Sequence, residues 1–243
     1  MKYSFPCTIR NSDLDFGLKI KPSAVLDIFQ EAATLHASSV GMTHENMRDK
    51  GLFWVLSRIA FKIITHPKRF ETLLVETWPL MPQGVSTRRE YVVRNKKGEI
   101  MIKGSARWVL IDMNTMKIAR LKLDDFATLF GSFGDGEGLE GGAIQVRAVA
   151  TSSKNKTRKL ESTYSDLDVN MHVNNIRYAE YLYDALGEYE IRQGIQSLHI
   201  NYLSELSAKK EVILKIERTN NLVIVEGTSG INIVFRAQIE LGN

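Results

Sequence analysis

The chain has 243 residues, 44% of them hydrophobic and 25% charged, with a formal net charge of +4; this suits one large domain or two small ones, and no helix-turn-helix, zinc finger or aromatic ribonucleoprotein motif accompanies the basic residues to mark a nucleic-acid binder. No run approaches the ~18 to 20 apolar residues that span a bilayer, and "MKYSFPCTIRNSDLDF" turns polar too soon to hold a signal-peptide core, so a cytoplasmic protein is expected. A single cysteine, Cys7, excludes an intrachain disulfide and a thiolate zinc cluster, which leaves packing to hold the fold.

Residues 11–18 read "NSDLDFGL", and "KPSAVLDIFQEAATLHASSVG" follows. Pro22 suits a helix start, Val25, Ile28, Phe29, Ala32 and Leu35 hold a helical apolar spacing, and Gly41 is a stop. The apolar period then changes to two, which predicts antiparallel strands at about 53–64, 72–79, 86–94 and 99–111, with "NKKG" at 95–98 as a hairpin turn. A glycine-rich and then serine- and lysine-rich stretch reads as a connection over the outside of the fold. No Gly-Lys-Ser/Thr follows its glycines, so it is not read as a phosphate loop.

Residues 164–175 read "YSDLDVNMHVNN", and their "SDLD" repeats the first, Ser165 standing 153 residues after Ser12. Asn174 or Asn175 suits a cap on a second helix, whose apolar face runs through Ala179, Leu182, Ala185, Leu186 and Tyr189 to Gly194. Strands are predicted at about 197–203, 211–218, 222–228 and 231–240, turned by "TNN" and "SG". Two copies of one plan, each a helix and then a curling antiparallel sheet, give an α+β protein with an N-terminal repeat at 1–120, a linker at 121–157 and a C-terminal repeat at 158–243.

Asp168, Asn170, His172 and Asn174 alternate along the chain, so an extended backbone would aim all four to one face just before a helix start, where free N–H groups and the helix dipole favour a developing oxyanion. Singly, such residues serve as helix caps or as surface and core histidines. Aligned on "SDLD", Asp168 stands opposite Asp15, Asn170 opposite Gly17, His172 opposite Lys19 and Asn174 opposite Lys21. The repeated aspartate suits a structural role, and Asn170 and His172 are extras. Other catalytic patterns fail: "HENMR" has Arg48 where a zinc-protease helix needs histidine, and "GTSG" is one residue short of a nucleophile elbow. Cys7 has no adjacent histidine and reads as a core or edge residue. Basic groups at Lys68-Arg69, Arg88-Arg89, Lys96-Lys97, Lys154-Lys156-Arg158-Lys159 and Lys209-Lys210 suit either an acidic partner or solvated turns and strand edges.

With "DLDVNMHVNNIRY" in the second of two repeats and "INYLSEL" at 200–206, the chain resembles the acyl-acyl carrier protein thioesterases over nearly its whole length. The resemblance implies two tandem hot-dog repeats, each a long helix wrapped by an antiparallel sheet, and hydrolysis of fatty acyl-carrier thioesters to free acid and carrier in fatty acid biosynthesis. By position, Asp168, Asn170, His172 and Glu205 match the family's catalytic residues, and Asn174 and Asn175 are expected to bind substrate. Many plant members carry cysteine after the glutamate, whereas this chain has Leu206, so no thiol mechanism is available there. The implied mechanism is attack by water held and deprotonated by Glu205 and His172, with Asn170 orienting, Asp168 positioning and backbone N–H groups of residues 173–176 receiving the carbonyl oxygen. No metal or cofactor is required. The first repeat, without the catalytic set, would shape the acyl pocket, and Phe29, Phe53, Trp54, Phe61, Trp78 and Trp108 either line it or fill a core. An acidic acyl carrier protein is the expected partner of the basic groups. The alternatives on this fold are an acyl-CoA thioesterase, an idle acyl-binding protein and a dehydratase, and the fused repeats suit a monomer or, through an exposed sheet edge, a homodimer.

Overall fold

The protein is seen here as a computed structural model that describes residues 2–120, 130 and 137–242. Among them, eleven strands form one antiparallel sheet. They are β1 (Tyr3–Thr8), β2 (Leu52–Ile63), β3 (Thr72–Pro79), β4 (Ser86–Arg94), β5 (Ile100–Asp112), β6 (Lys117–Ile118), β7 (Lys156–Glu161), β8 (Ile195–Tyr202), β9 (Glu211–Thr219), β10 (Leu222–Ser229) and β11 (Asn232–Leu241). Outward from the middle, the order is β2-β5-β4-β3-β1 on one side and β8-β11-β10-β9-β7 on the other, with β6 beside β5. The two halves thus share one topology. They join where β2 pairs with β8, from Arg58 opposite Asn201 to Lys62 opposite Ser197.

Each half wraps a helix. In α1 (Pro22–Ser39), Pro22 opens the first turn and Val25, Phe29 and Ala32 face the core. In α3 (Asn175–Ala185), Asn174 caps the start and Tyr178, Ala179 and Leu182 face inward, and α1 and α3 pack on each other. This is the tandem hot-dog plan. Glycine lets the sheet close on its aromatic contents: a Cβ on Gly104 would lie 2.0 Å from the Phe29 ring, and one on Gly227 would lie 2.1 Å from the Phe235 ring.

The predicted strands appear within two residues of their expected ends, but β1, β7 and the two-residue β6 beside β5 were not expected. β6 is too short to show a period, and β1 and β7 lie at the ends of the sheet, where protection hides the apolar alternation. In β1, Pro6 is tolerated because an edge strand has unpaired N–H groups. The other edge, β7, reads "KTRKLE", is mostly exposed, and takes Lys156 and Thr157 from the expected linker. Cys7 lies half-buried on β1, where burial pushes its thiol up.

The second helix also departs from expectation. It ends at Ala185, where Leu186 turns extended (φ −80°, ψ 154°), and the Arg218 guanidinium donates to the freed Ala185 carbonyl at 2.9 Å. The chain restarts as α4 (Glu188–Gln193), with the Gly187 N–H donating to Glu190 Oε2 at 2.6 Å. Tyr189 consequently turns outward and is 75% exposed instead of facing the core. A short α2 (His44–Asp49), capped by Thr43, was not expected either.

Of the predicted linker, 121–129 and 131–136 lie outside the described residues. Residues 137–155 cross the sheet face opposite the helices, as the pleat requires of their partners: Tyr91, Ile200 and Ile216 face the core, so their neighbours Glu90, Asn201 and Glu217 face out. The Leu139 N–H donates to Glu90 at 2.8 Å, Val146 N–H to Asn201 Oδ1 at 2.7 Å and Ala150 N–H to Glu217 at 2.8 Å. Glycine is needed for this close approach, because a Cβ on Gly138 would fall 1.9 Å from Glu90 Oε2. Arg88 bonds Glu90, Ser105 and the Leu139 carbonyl beneath the strap, and Arg89 is 6% exposed. Arg88-Arg89 is therefore not a solvated basic group.

Two outcomes are expected. Gly104→Ala forces the Phe29 ring to move and should lower unfolding free energy by about 1–3 kcal/mol in urea titration. The Arg147 guanidinium, and then the Ala150 N–H, hold the Glu217 carboxyl at about 2. A depressed folded-state value means that its stabilisation is present above the ordinary carboxylate range and is lost as pH falls through about 2. The gap in urea midpoint between wild type and Glu217→Gln should therefore be widest near neutrality and close between pH 5 and 2.

Candidate active site

The "SDLD" segments build the same loop twice. In the first copy, Asp15 Oδ1 accepts from the N–H groups of Gly17 (2.8 Å) and Lys19 (2.9 Å), Asp15 N–H donates to the Lys19 carbonyl at 2.9 Å, and a bridge between Leu14 and Ile20 closes the loop. In the second, Asp168 Oδ1 accepts from Asn170 (2.8 Å) and His172 (3.3 Å), Asp168 N–H donates to the His172 carbonyl at 2.8 Å, and Leu167 bridges Val173. Leu18 and Met171 take matching left-handed conformations, φ 58° and 64°. The earlier aspartate of each motif is structural too: Asp13 accepts the Arg10 N–H and Asp166 the Thr163 N–H, both at 2.7 Å.

This loop corrects the expected extended backbone. Asp168, Asn170, His172 and Asn174 do not share one strand face; Asp168 turns its carboxylate onto the backbone that carries Asn170 and His172. Asn174 Oδ1 accepts the Ile176 N–H at 3.0 Å and serves as the helix cap. Asn170 is exposed, and its carboxamide makes no hydrogen bond among the described residues.

Glu205 reaches the loop from the segment after β8. Leu203 and Ser204 N–H groups donate to the Val234 carbonyl, Leu206 is buried, and its carbonyl accepts the Val173 N–H at 2.7 Å. His172 and Glu205 immediately precede the two residues of that last bond, which sets them side by side: His172 Nε2 lies 3.2 Å from Glu205 Oε2, with the side chains 39% and 64% exposed. Beneath them Tyr178 packs edge-on to Tyr202 and Phe235, at ring separations of 5.4 and 5.2 Å. Burial, then the charges of Glu205 and Asp168, raise the Tyr178 hydroxyl above its ordinary range and keep it protonated.

The expected oxyanion donors are mostly spent. Val173 N–H goes to Leu206, Asn174 N–H to the Asp166 carbonyl and Ile176 N–H to Asn174 Oδ1. Among residues 173–176, the Asn175 N–H alone makes no hydrogen bond to a described residue.

Asn175 also opens a narrow gap of about 10 Å³ between the repeats, lined by Gln30, Leu56, Tyr91, Trp108, Ile176 and Tyr202 among others. Trp108 divides it from a larger cavity of about 200 Å³ inside the first repeat, walled by Ala33, Ala37, Trp54 and Pro79 and floored by Arg89. Of the six aromatics expected to line a pocket or fill a core, Trp54 and Trp108 line this cavity, Phe29, Phe61 and Trp78 are core, and Phe53 is half-buried on β2 outside the cavity lining. Gln30 was missed by sequence reading, although the repeat offset points to it. It occupies on α1 the position that Tyr183 occupies on α3, and Tyr183 Oη donates to Asp15 Oδ2 at 3.1 Å. Among the described residues, no group of three or more His, Cys, Asp or Glu is placed to hold a metal ion.

The family model of the acyl-ACP thioesterase N-terminal domain matches residues 1–129, and that of the C-terminal domain matches 149–241. A chloroplastic palmitoyl-acyl carrier protein thioesterase of Gossypium hirsutum is 24% identical over 187 residues, which cover 73% of this chain and 45% of the relative. The chloroplastic oleoyl-acyl carrier protein thioesterase 2 of Arabidopsis thaliana is 23% identical over 243 residues, covering 87% and 65%. The chain thus spans about half to two thirds of the length of these curated relatives. In fold it matches an acyl-ACP thioesterase from Bacteroides thetaiotaomicron, with TM-score 0.86, 24% identity and coverage of 98% of this chain and 97% of that one. The 12:0-ACP thioesterase from Umbellularia californica gives TM-score 0.87, 24% identity and coverage of 98% and 96%. Two wrapped helices on one sheet, a histidine and glutamate joined in the second repeat, and both domain models matched in order along the sequence lead to one conclusion: the chain belongs to the acyl-ACP thioesterase family.

Proposed function

We propose that this protein hydrolyses fatty acyl thioesters of acyl carrier protein to free fatty acid and carrier, by direct attack of water. The observation that carries the reading is the His172–Glu205 contact at 3.2 Å, with His172 three residues before Asn175, which lines the gap between the repeats. A water bonded to this pair loses its proton to it as the water oxygen bonds to the carbonyl carbon. The Asn175 N–H and the Asn170 carboxamide are the donors available to the developing oxyanion. Collapse of the tetrahedral intermediate breaks the carbon–sulfur bond, and the proton held by the pair passes to sulfur, giving acid and thiol. Asp168 positions: its carboxylate fixes the loop that carries Asn170 and His172.

The division of labour follows the repeats, with the C-terminal repeat (158–243) carrying the reaction and the N-terminal repeat (1–120) receiving the acyl chain in the cavity beyond Trp108. An acidic carrier is favoured by Lys209 and Lys210, exposed on the same loop as Glu205, and by the exposed basic face of β7. Among the described residues no helix is long and apolar enough to cross a membrane. The reading places the enzyme with its carrier in the cytoplasm, as a monomer or homodimer.

His172→Ala and Glu205→Ala should each lower turnover of carrier-bound acyl groups by about 10²- to 10⁴-fold in a free-thiol assay while leaving the circular dichroism spectrum and unfolding midpoint near wild type. Near-normal turnover in a folded variant would remove that residue from the mechanism. The same assay on coenzyme A thioesters tests the carrier, since added salt should raise the apparent KM for the carrier substrate far more than for coenzyme A. Asp15→Ala serves as the structural control: it strands two backbone N–H groups and should lower stability by about 1 kcal/mol or more without removing a group from the reaction site.

A further inference from the structure

Arg89 is unusual among the cations of this protein. It is 6% exposed, and among the described residues no carboxylate pairs with it. Its Nη1 lies 3.0 Å from His36 Nδ1 and donates to Thr77 Oγ1 at 3.2 Å, and its guanidinium sits 5.9 Å from the centre of the Phe130 ring. Burial and the neighbouring Arg89 lower His36 to about 4, so this imidazole is neutral near pH 7 and supplies no second charge. An arginine carries five N–H groups and stays protonated. The Nε and Nη2 hydrogens of Arg89, which form the side-on edge that a carboxylate grips with two parallel bonds, meet no acceptor among the described residues. A buried cation without an anion is strongly unfavourable, so this arrangement asks for one.

The surroundings define the rest of the ligand. Arg89 floors the cavity of about 200 Å³ whose other walls are mainly carbon, including Ala33, Ala37, Trp54 and Trp108. Thr34, Ser38 and His44 line its outer side and are exposed, so the cavity can be reached from solvent on that side. Phosphate or a small hydrophilic anion would leave those carbon walls unfilled. We propose that this cavity is a receptor for the carboxylate end of an aliphatic chain, with the carboxylate on Arg89 and the hydrocarbon along Trp54 and Trp108. The chemistry has two sources: the far end of a dicarboxylic acyl group still attached to its carrier and threaded past Trp108, or a free fatty acid that enters carboxylate first. The first source rests on the thioesterase reading above, and the second does not.

Two of the three tryptophans line the cavity, so intrinsic fluorescence reports its occupancy. The wild-type protein is titrated with decanoate and with methyl decanoate, which share a chain and differ in the anion. The acid should bind at least about tenfold more tightly than the ester if the free chain is the ligand, and Arg89→Met should abolish that preference. In parallel, carrier thioesters of decanoyl and 9-carboxynonanoyl groups are compared by thiol release; if the threaded chain is the ligand, the carboxy-terminated substrate should show a kcat/KM at least about tenfold higher, again lost in Arg89→Met. A preference in either arm that depends on Arg89 supports the receptor and identifies its source. Equal behaviour of acid and ester together with no kinetic preference overturns it, as does a preference that survives Arg89→Met. Should Arg89→Met fail to fold, the wild-type acid–ester comparison and Arg89→Lys, which keeps the charge and loses the fork, decide the matter. Absence of hydrolysis of every thioester would overturn the proposed function and leave the binding arm to judge the receptor alone.

Discussion

The pairing of β2 with β8 is the contact on which the rest of this structure depends. Five antiparallel residue pairs, from Arg58–Asn201 to Lys62–Ser197, turn two curled sheets into one. Without it, each half would present a long inner edge of unpaired N–H and carbonyl groups to solvent. The pairing also sets α1 beside α3, and the gap between the repeats is built from both sides of the seam, with Leu56 and Ile59 from β2 and Tyr202 from β8. The gap between the repeats has walls from both because these two strands share a ladder.

On this frame the two "SDLD" loops have the same backbone and opposite employments. The first loop carries Lys19, whose ammonium donates at 2.7 Å to the carbonyls of both Arg192 and Gln193, the open end of α4. It is a latch between the repeats. The second carries His172 at the aligned position and turns it to Glu205. The aspartate at the root of each loop does the same work in both, accepting two backbone N–H groups. A side chain held on such a loop is placed by its neighbour's carboxylate, so its own identity is free to change.

Much of this was legible in the residues. Alternating apolar positions located eight inner strands to within two residues, because a strand buried on one face keeps its period. Of the missed strands, β6 has only two residues, and β1 and β7 are the edges, where Pro6 and the run of lysine and arginine in β7 replace the pattern that would have revealed them. His172 and Glu205 were legible as a motif, yet the turn that joins them was not. Alternation along "DVNMHVN" reads as a strand until Asp168 folds back onto its own backbone, and nothing in composition announces that bond. The outward glutamate and asparagine of β4 and β8 were a signal of another kind. A polar residue in mid-strand needs a partner, and here residues 137–155 supply it.

That strap has a consequence for how the molecule behaves on dilution. Two separate subunits joined by five residue pairs would meet in proportion to their concentration. A tether fixed at Glu90, Asn201 and Glu217 instead holds the halves at an effective concentration on the order of millimolar or higher, whatever the amount of protein present. It also releases the interface from self-complementarity. In a symmetric pair, a lysine latch or a buried arginine introduced on one side would be copied on the other. Here Lys19 can face one helix end and Arg89 one cavity, each once, because the two partners in the seam are written separately in a single chain.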